Sequence, residues 1–193
     1  MKKPFRFALV LLLSALAIVL IISLSGCPTV VKRPQPRPKS DTETVTDQVE
    51  AFGKQLQKVS LLAPKDEVAK SMRDNYGDYV SPNLLAKWMD NPPSAPGRLT
   101  SSPWPDRINI QNTKKLSDNA YEVKGEIIYI TSVEKTRGGV AARQPITLTV
   151  RKIGNRWLID AVTLGAYETA NALIYRNTQY GFTFTLPKSW KGF

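Results

Sequence analysis

Residues 120–134, AYEVKGEIIYITSVE, decide the fold. Tyr121, Val123, Ile127, Tyr129 and Val133 fall on odd positions and polar residues fill most of the even ones. That period of two predicts a long strand, Ala120 to Glu134, with one buried face. Asp118-Asn119 before it and Arg137-Gly138-Gly139 after it read as hairpin turns. Upstream, Ile108 and Ile110 begin a first strand. Downstream, Ile146, Leu148 and Val150 alternate along a third. Gly154-Asn155 is a tight-turn dipeptide, and Trp157, Leu158, Ile159, Ala161 and Val162 carry the fourth. Successive hairpins predict an antiparallel meander.

Before residue 91 the period is helical. Val45, Val49, Phe52, Leu56 and Val59 recur at four-three-four-three spacing, which predicts an amphipathic helix over 44–60. Ala63-Pro64 interrupts it. Pro64 is suited to open a second helix in which Val68, Met72 and Tyr76 share a face. Ser81-Pro82, a capping serine followed by proline, starts a third helix with Leu84, Leu85, Trp88 and Met89. Helices followed by an antiparallel sheet make the body an α+β domain over 44–168.

The element order, the long second strand and the last strand, Gly-Asn-Arg-Trp-Leu-Ile-Asp160, resemble the nuclear-transport-factor-two-like superfamily over residues 44–166. The resemblance implies N-terminal helices packed on a curved antiparallel sheet shaped as a cone. Members include isomerases, dehydratases, transport adaptors and secretion-system subunits, so fold alone does not give function. Residues 95–110, APGRLTSSPWPDRINI, also resemble a stretch of uncharacterised bacterial lipoproteins. The tail, 169–193, has Phe182, Phe184 and Leu186 in alternation and resembles the opening strand pair of PsbP-like domains. A lone strand pair is marginal in water, so either these residues add to the main sheet or the tail is the start of a shortened second domain; the body already has a complete sheet, which favours the second, and the tail is then expected to be poorly ordered.

The N-terminus is a targeting segment. Lys2, Lys3 and Arg6 precede an apolar run, Phe7–Leu24, and then Leu24-Ser25-Gly26-Cys27. This tetrapeptide resembles the lipobox of bacterial lipoproteins, in which the peptidase recognises positions such as Leu24, Ser25 and Gly26 and the cysteine receives diacylglycerol. It implies a signal peptide over 1–26, a lipid anchor at Cys27 and a body on the extracytoplasmic face of the cell membrane. The alternative is an uncleaved membrane-spanning helix, since 18 residues reach about 27 Å at about 1.5 Å each. Residues 27–43 follow as a tether. Pro28, Pro34, Pro36 and Pro38 favour extended polyproline II, and Lys32, Arg33, Arg37 and Lys39 favour anionic headgroups.

Charge and composition narrow the chemistry. The net charge of +11 falls to +8 without the leader. The body from residue 41 carries 20 basic against 16 acidic residues, a mild +4 that argues against a nucleic-acid partner. With no histidine and one cysteine, the chain has no imidazole general base, no serine-histidine triad, no thiolate metal cluster and no internal disulfide. No metal or cofactor motif is present.

Two readings of the body remain. In the first, it is a non-catalytic interaction module that meets an envelope protein or an anionic cell-wall polymer. Five prolines stiffen the loop 91–107, and its Arg98, Ser101, Ser102, Trp104, Asp106 and Arg107 are the candidate binding residues. Against this, Trp104 can instead plug the cone mouth while Asp106 pairs with Arg98 or Arg107. Arg137, Arg143, Arg151, Lys152 and Arg156 are a further candidate anion surface. In the second reading, the cone resemblance implies an isomerase or dehydratase with Asp160 or Glu126 as base and Tyr121 or Tyr129 steadying an oxyanion. Strand parity opposes it, since Glu126 falls on the face away from the tyrosines. An assembly subunit of a secretion or sporulation complex is a third possibility from the same superfamily.

Overall fold

The computed structural model describes residues 37–170 and 172–187. The leader, Leu24, Ser25, Gly26 and Cys27 lie outside the described residues. Among those described, no helix is long and apolar enough to cross a membrane. The fold is α+β, with N-terminal helices lying against one face of an open antiparallel sheet.

Helix α1 spans Asp41–Gly53 and starts three residues earlier than its apolar stripe indicates. Local capping sets that start. The Ser40 hydroxyl accepts the Glu43 N–H at 3.2 Å and Glu43 Oε2 accepts the Ser40 N–H at 2.7 Å, so two otherwise unpaired donors are satisfied. The α-helix ends at Gly53 and a 3₁₀ turn, Leu56–Lys58, takes over. All five stripe residues, Val45 to Val59, are nevertheless fully buried. Gly53 allows this close docking, because a Cβ there would stand 2.6 Å from the Ile108 backbone nitrogen.

Helix α2, Lys65–Tyr76, buries Val68, Met72 and Tyr76. Helix α3, Pro82–Asp90, has Ser81 as its cap, with the Leu84 N–H donating to Ser81 Oγ at 3.2 Å. A 3₁₀ turn, Pro92–Ser94, follows.

Strand β1 runs Trp104–Ser117 and begins four residues before the Ile108 expected. Pro105 is tolerated because β1 is at the end of the sheet and pairs only with β2, leaving one side of its backbone without a rung to lose. Strand β2 spans Ala120–Ile130 and stops short of the expected Glu134. Residues 132–137 form a short helix, α4 (Ser132–Arg137), instead of a strand end and hairpin turn. Its cause is Thr131-Ser-Val-Glu134: the Thr131 N–H donates to Glu134 Oε2 at 2.9 Å and Thr131 Oγ1 accepts the Val133 N–H at 3.1 Å. Val133, expected on the buried face, is exposed.

Strands β3 (Ala142–Ile153) and β4 (Arg156–Leu164) complete the order β1-β2-β3-β4, and the two-residue β5 (Glu168–Thr169) pairs with β3 at Ala142 and Arg143. The α2–α3 link covers the outer side of β4: the Ser81 N–H donates to the Ile159 carbonyl at 2.8 Å and the Ile159 N–H to the Tyr79 carbonyl at 2.9 Å. Strands β6 (Ala172–Asn177) and β7 (Phe182–Pro187) form a separate two-stranded sheet.

The core lies between the helices and the sheet face carrying Tyr121, Val123, Ile127 and Tyr129. Phe52, Tyr76 and Trp88 meet at its centre, with ring centroids 5.1 to 6.2 Å apart. At one end of the sheet, the Trp157 indole donates to Asp41 Oδ1 at 3.2 Å and meets Tyr121 edge-on at 5.2 Å.

Candidate functional site

Two short segments run side by side next to the helices. One is Val59–Leu62, between α1 and α2; the other is Gly97–Ser101, after the 3₁₀ turn. Ser60 and Arg98 form a parallel bridge, with the Arg98 N–H donating to the Val59 carbonyl at 2.8 Å and the Leu61 N–H to the Arg98 carbonyl at 2.9 Å. Gly97 makes the approach possible: a Cβ there would lie 2.9 Å from Leu61 Cγ and 3.1 Å from the Val59 carbonyl. The Tyr76 hydroxyl donates to the Pro96 carbonyl at 2.8 Å and ties the second segment to the core.

These segments enclose a shallow depression of about 170 Å³ lined by Ser60, Leu62, Arg98, Leu99, Thr100 and Ser101. Leu62 and Leu99 are 74% and 57% exposed, far more than the buried leucines on either side of the core. No ion pair to Arg98 forms among the described residues. The Thr100 hydroxyl donates to the Pro103 carbonyl at 3.0 Å and closes the loop ahead of β1. The lining offers apolar surface, hydroxyls and one cation. It contains no carboxylate and so no base for proton abstraction.

The six candidate loop residues divide between two places. Arg98 and Ser101 line the depression, with Ser102 exposed just beyond. Trp104, Asp106 and Arg107 belong to β1. Trp104 is not a plug: it stands opposite Ile130 and Arg107 opposite Ile128, on the sheet face away from the helices, and Trp104 is outside the core cluster. Asp106 pairs with Arg107 at 2.5 Å, not with Arg98. Ser60, Leu62, Leu99 and Thr100 were not among the candidates. The available signal was Leu61-Leu62, two leucines beyond the end of the helical stripe.

The acid candidates are surface ion pairs. Glu126 meets Arg143 at 3.0 Å and Asp160 meets Arg151 at 3.3 Å. Both lie on the face opposite Tyr121 and Tyr129. Tyr129 is buried, its hydroxyl donates to Gln144 Oε1 at 2.8 Å, and burial with the neighbouring Tyr167 pushes its pKa up to about 12. It is a protonated structural tyrosine with no acid beside it to serve.

The basic residues near the strand ends do not form one patch. Besides Arg143 and Arg151, Lys152 lies 3.9 Å from Asp41 and 5.5 Å from the Trp157 ring, and Arg156 donates to the Asp78 carbonyl at 2.8 Å. Four of the five are thus held by partners in different parts of the fold. Among the described residues no cluster of acids, histidines or cysteine is placed to hold a metal. No protein-family model matches the chain, and no curated protein matches it.

Proposed function

We propose that this chain is a lipid-anchored extracytoplasmic lipoprotein whose body is a non-catalytic interaction module. Leu24-Ser25-Gly26-Cys27, behind a basic start and an apolar run, supports the anchor and the compartment. The observation that carries the binding role is the pair Leu62 and Leu99, held in solvent beside Arg98 on two segments locked by backbone hydrogen bonds. A pre-ordered surface loses little entropy on binding. Leucines flanking a guanidinium that has no ion-pair partner among the described residues suit an extended protein segment with an apolar side chain and a carboxylate. A sugar or phosphate polymer would leave both leucines uncovered, so a protein of the envelope is the favoured partner class.

The test is a photo-crosslinking side chain at Leu99 in the full chain in cells, with the same group at Asn155 as reference. A discrete adduct from position 99 that disappears with Leu62→Glu, while the unfolding curve stays unchanged, is the expected result. Adducts of equal yield from both positions would refute the site.

A further inference from the structure

The depression beside Leu62 and Leu99 is small. Its volume of about 170 Å³ is close to that of a cavity of about 150 Å³ that holds one benzene molecule, so it takes one apolar side chain and not two. Of its six lining residues Arg98 alone is charged, and no ion pair to it forms among the described residues. The Arg98 backbone is fastened on both sides, its N–H to the Val59 carbonyl at 2.8 Å and its carbonyl to the Leu61 N–H at 2.9 Å, which fixes where its side chain starts. Unused donors accompany this cation. The N–H groups of Leu99, Thr100 and Ser101 donate to no other group among the described residues, and the hydroxyls of Ser60 and Ser101 have no partner there either. Only the Thr100 hydroxyl is committed, to the Pro103 carbonyl.

Size and charge together select which carboxylate enters. In an extended segment adjacent side chains point to opposite sides, and those on one side stand about 6.6 Å apart. An acidic and an apolar side chain from one segment therefore need two places, and the depression has one. The last residue of a chain carries its carboxylate and its side chain on the same carbon. Backbone N–H groups capture such terminal carboxylates, and a guanidinium holds a carboxylate through two parallel hydrogen bonds. We propose that the site reads the C-terminal residue of its partner protein, with an apolar terminal side chain between Leu62 and Leu99 and the α-carboxylate on Arg98 and the N–H groups of residues 99–101. This rests on the interaction site proposed above and adds which part of the partner enters it.

The experiment titrates the full chain, in detergent micelles, into fluorescein-labelled peptide pools that are random except for their last residues, and reads anisotropy. One pool ends in Leu with a free carboxylate, one in Leu carboxamide, one in Glu-Ala-Leu carboxamide and one in Ala with a free carboxylate. The free Leu acid should bind at least several-fold more tightly than each of the other three. Arg98→Gln should bring it down to the level of the Leu carboxamide with the unfolding curve unchanged, and Leu62→Glu should weaken it further. Equal binding of the Leu acid and its carboxamide would overturn the proposal, as would tighter binding of the internal glutamate pool or no binding of any pool. These comparisons use the unaltered chain, so they hold even where a variant fails to fold. The adduct from position 99 in cells is read separately: its survival beside a failed terminal-carboxylate preference sinks this inference alone, and its loss removes the interaction site as well.

Discussion

The Tyr76 hydroxyl, at the end of α2 and buried against Phe52 and Trp88, donates to the Pro96 carbonyl at 2.8 Å. One core side chain therefore fixes the level at which Arg98 and Leu99 emerge. Tyr76→Phe keeps the ring and strands a buried carbonyl, which costs about 1–3 kcal/mol. Urea unfolding should show a lower midpoint with an unchanged slope, and cross-linking from position 99 should weaken with it.

Gly97→Ala tests the close approach that builds the depression. The new methyl would lie 2.9 Å from Leu61 Cγ and 3.1 Å from the Val59 carbonyl. Overpacking of this kind costs about 1–3 kcal/mol. Amide exchange at Arg98 and Leu61, whose N–H groups form the bridge, should accelerate more than exchange within β2 and β3. Unchanged exchange at both amides would show that the segments are not locked through Gly97.

Alkaline stability should report the two buried tyrosines. Burial pushes Tyr129 up to about 12 and raises Tyr76 as well, against an unfolded value near 10. Below the unfolded value both states are protonated and the full stability is present. As pH rises from about 10 to about 12 the unfolded chain ionises first, so stability falls across that window. Denaturant midpoints measured from pH 9 to pH 12 should decline, and less steeply in Tyr129→Phe.

Cys27→Ala should leave unprocessed precursor without acyl label, while Ser25→Ala is still processed, because the position tolerates small residues. Equal fatty-acid incorporation in Cys27→Ala, followed by metabolic labelling, would defeat the anchor.

The core was legible in the sequence because burial imposes a period. Val45, Val49 and Phe52 at helical spacing and Tyr121, Val123 and Ile127 at strand spacing lie where that period puts them. Local hydrogen bonding was harder to read. Thr131 to Glu134 satisfies the strand alternation and a capping box at once, and the cap prevailed because it satisfies backbone donors where the sheet ends. Pro105 suggested a loop, yet an end strand has no rung to lose there. The depression was half legible: Arg98 and Ser101 stood out in a proline-stiffened segment, but Leu62 reaches it only through a parallel bridge between residues 38 positions apart, Ser60 and Arg98, which no period encodes.

The fastening of Asp41 by the Trp157 indole has a mechanical consequence. Any pull on the residues before Ser40 enters the body at the first turn of α1 and passes at once into β4, alongside the helix's own packing on the sheet. Tension is then shared between the helical layer and the hydrogen-bonded strands, rather than peeling the helix away turn by turn. Single-molecule stretching from the N-terminus would see that sharing as a rupture force that drops when Asp41→Ala removes the clasp.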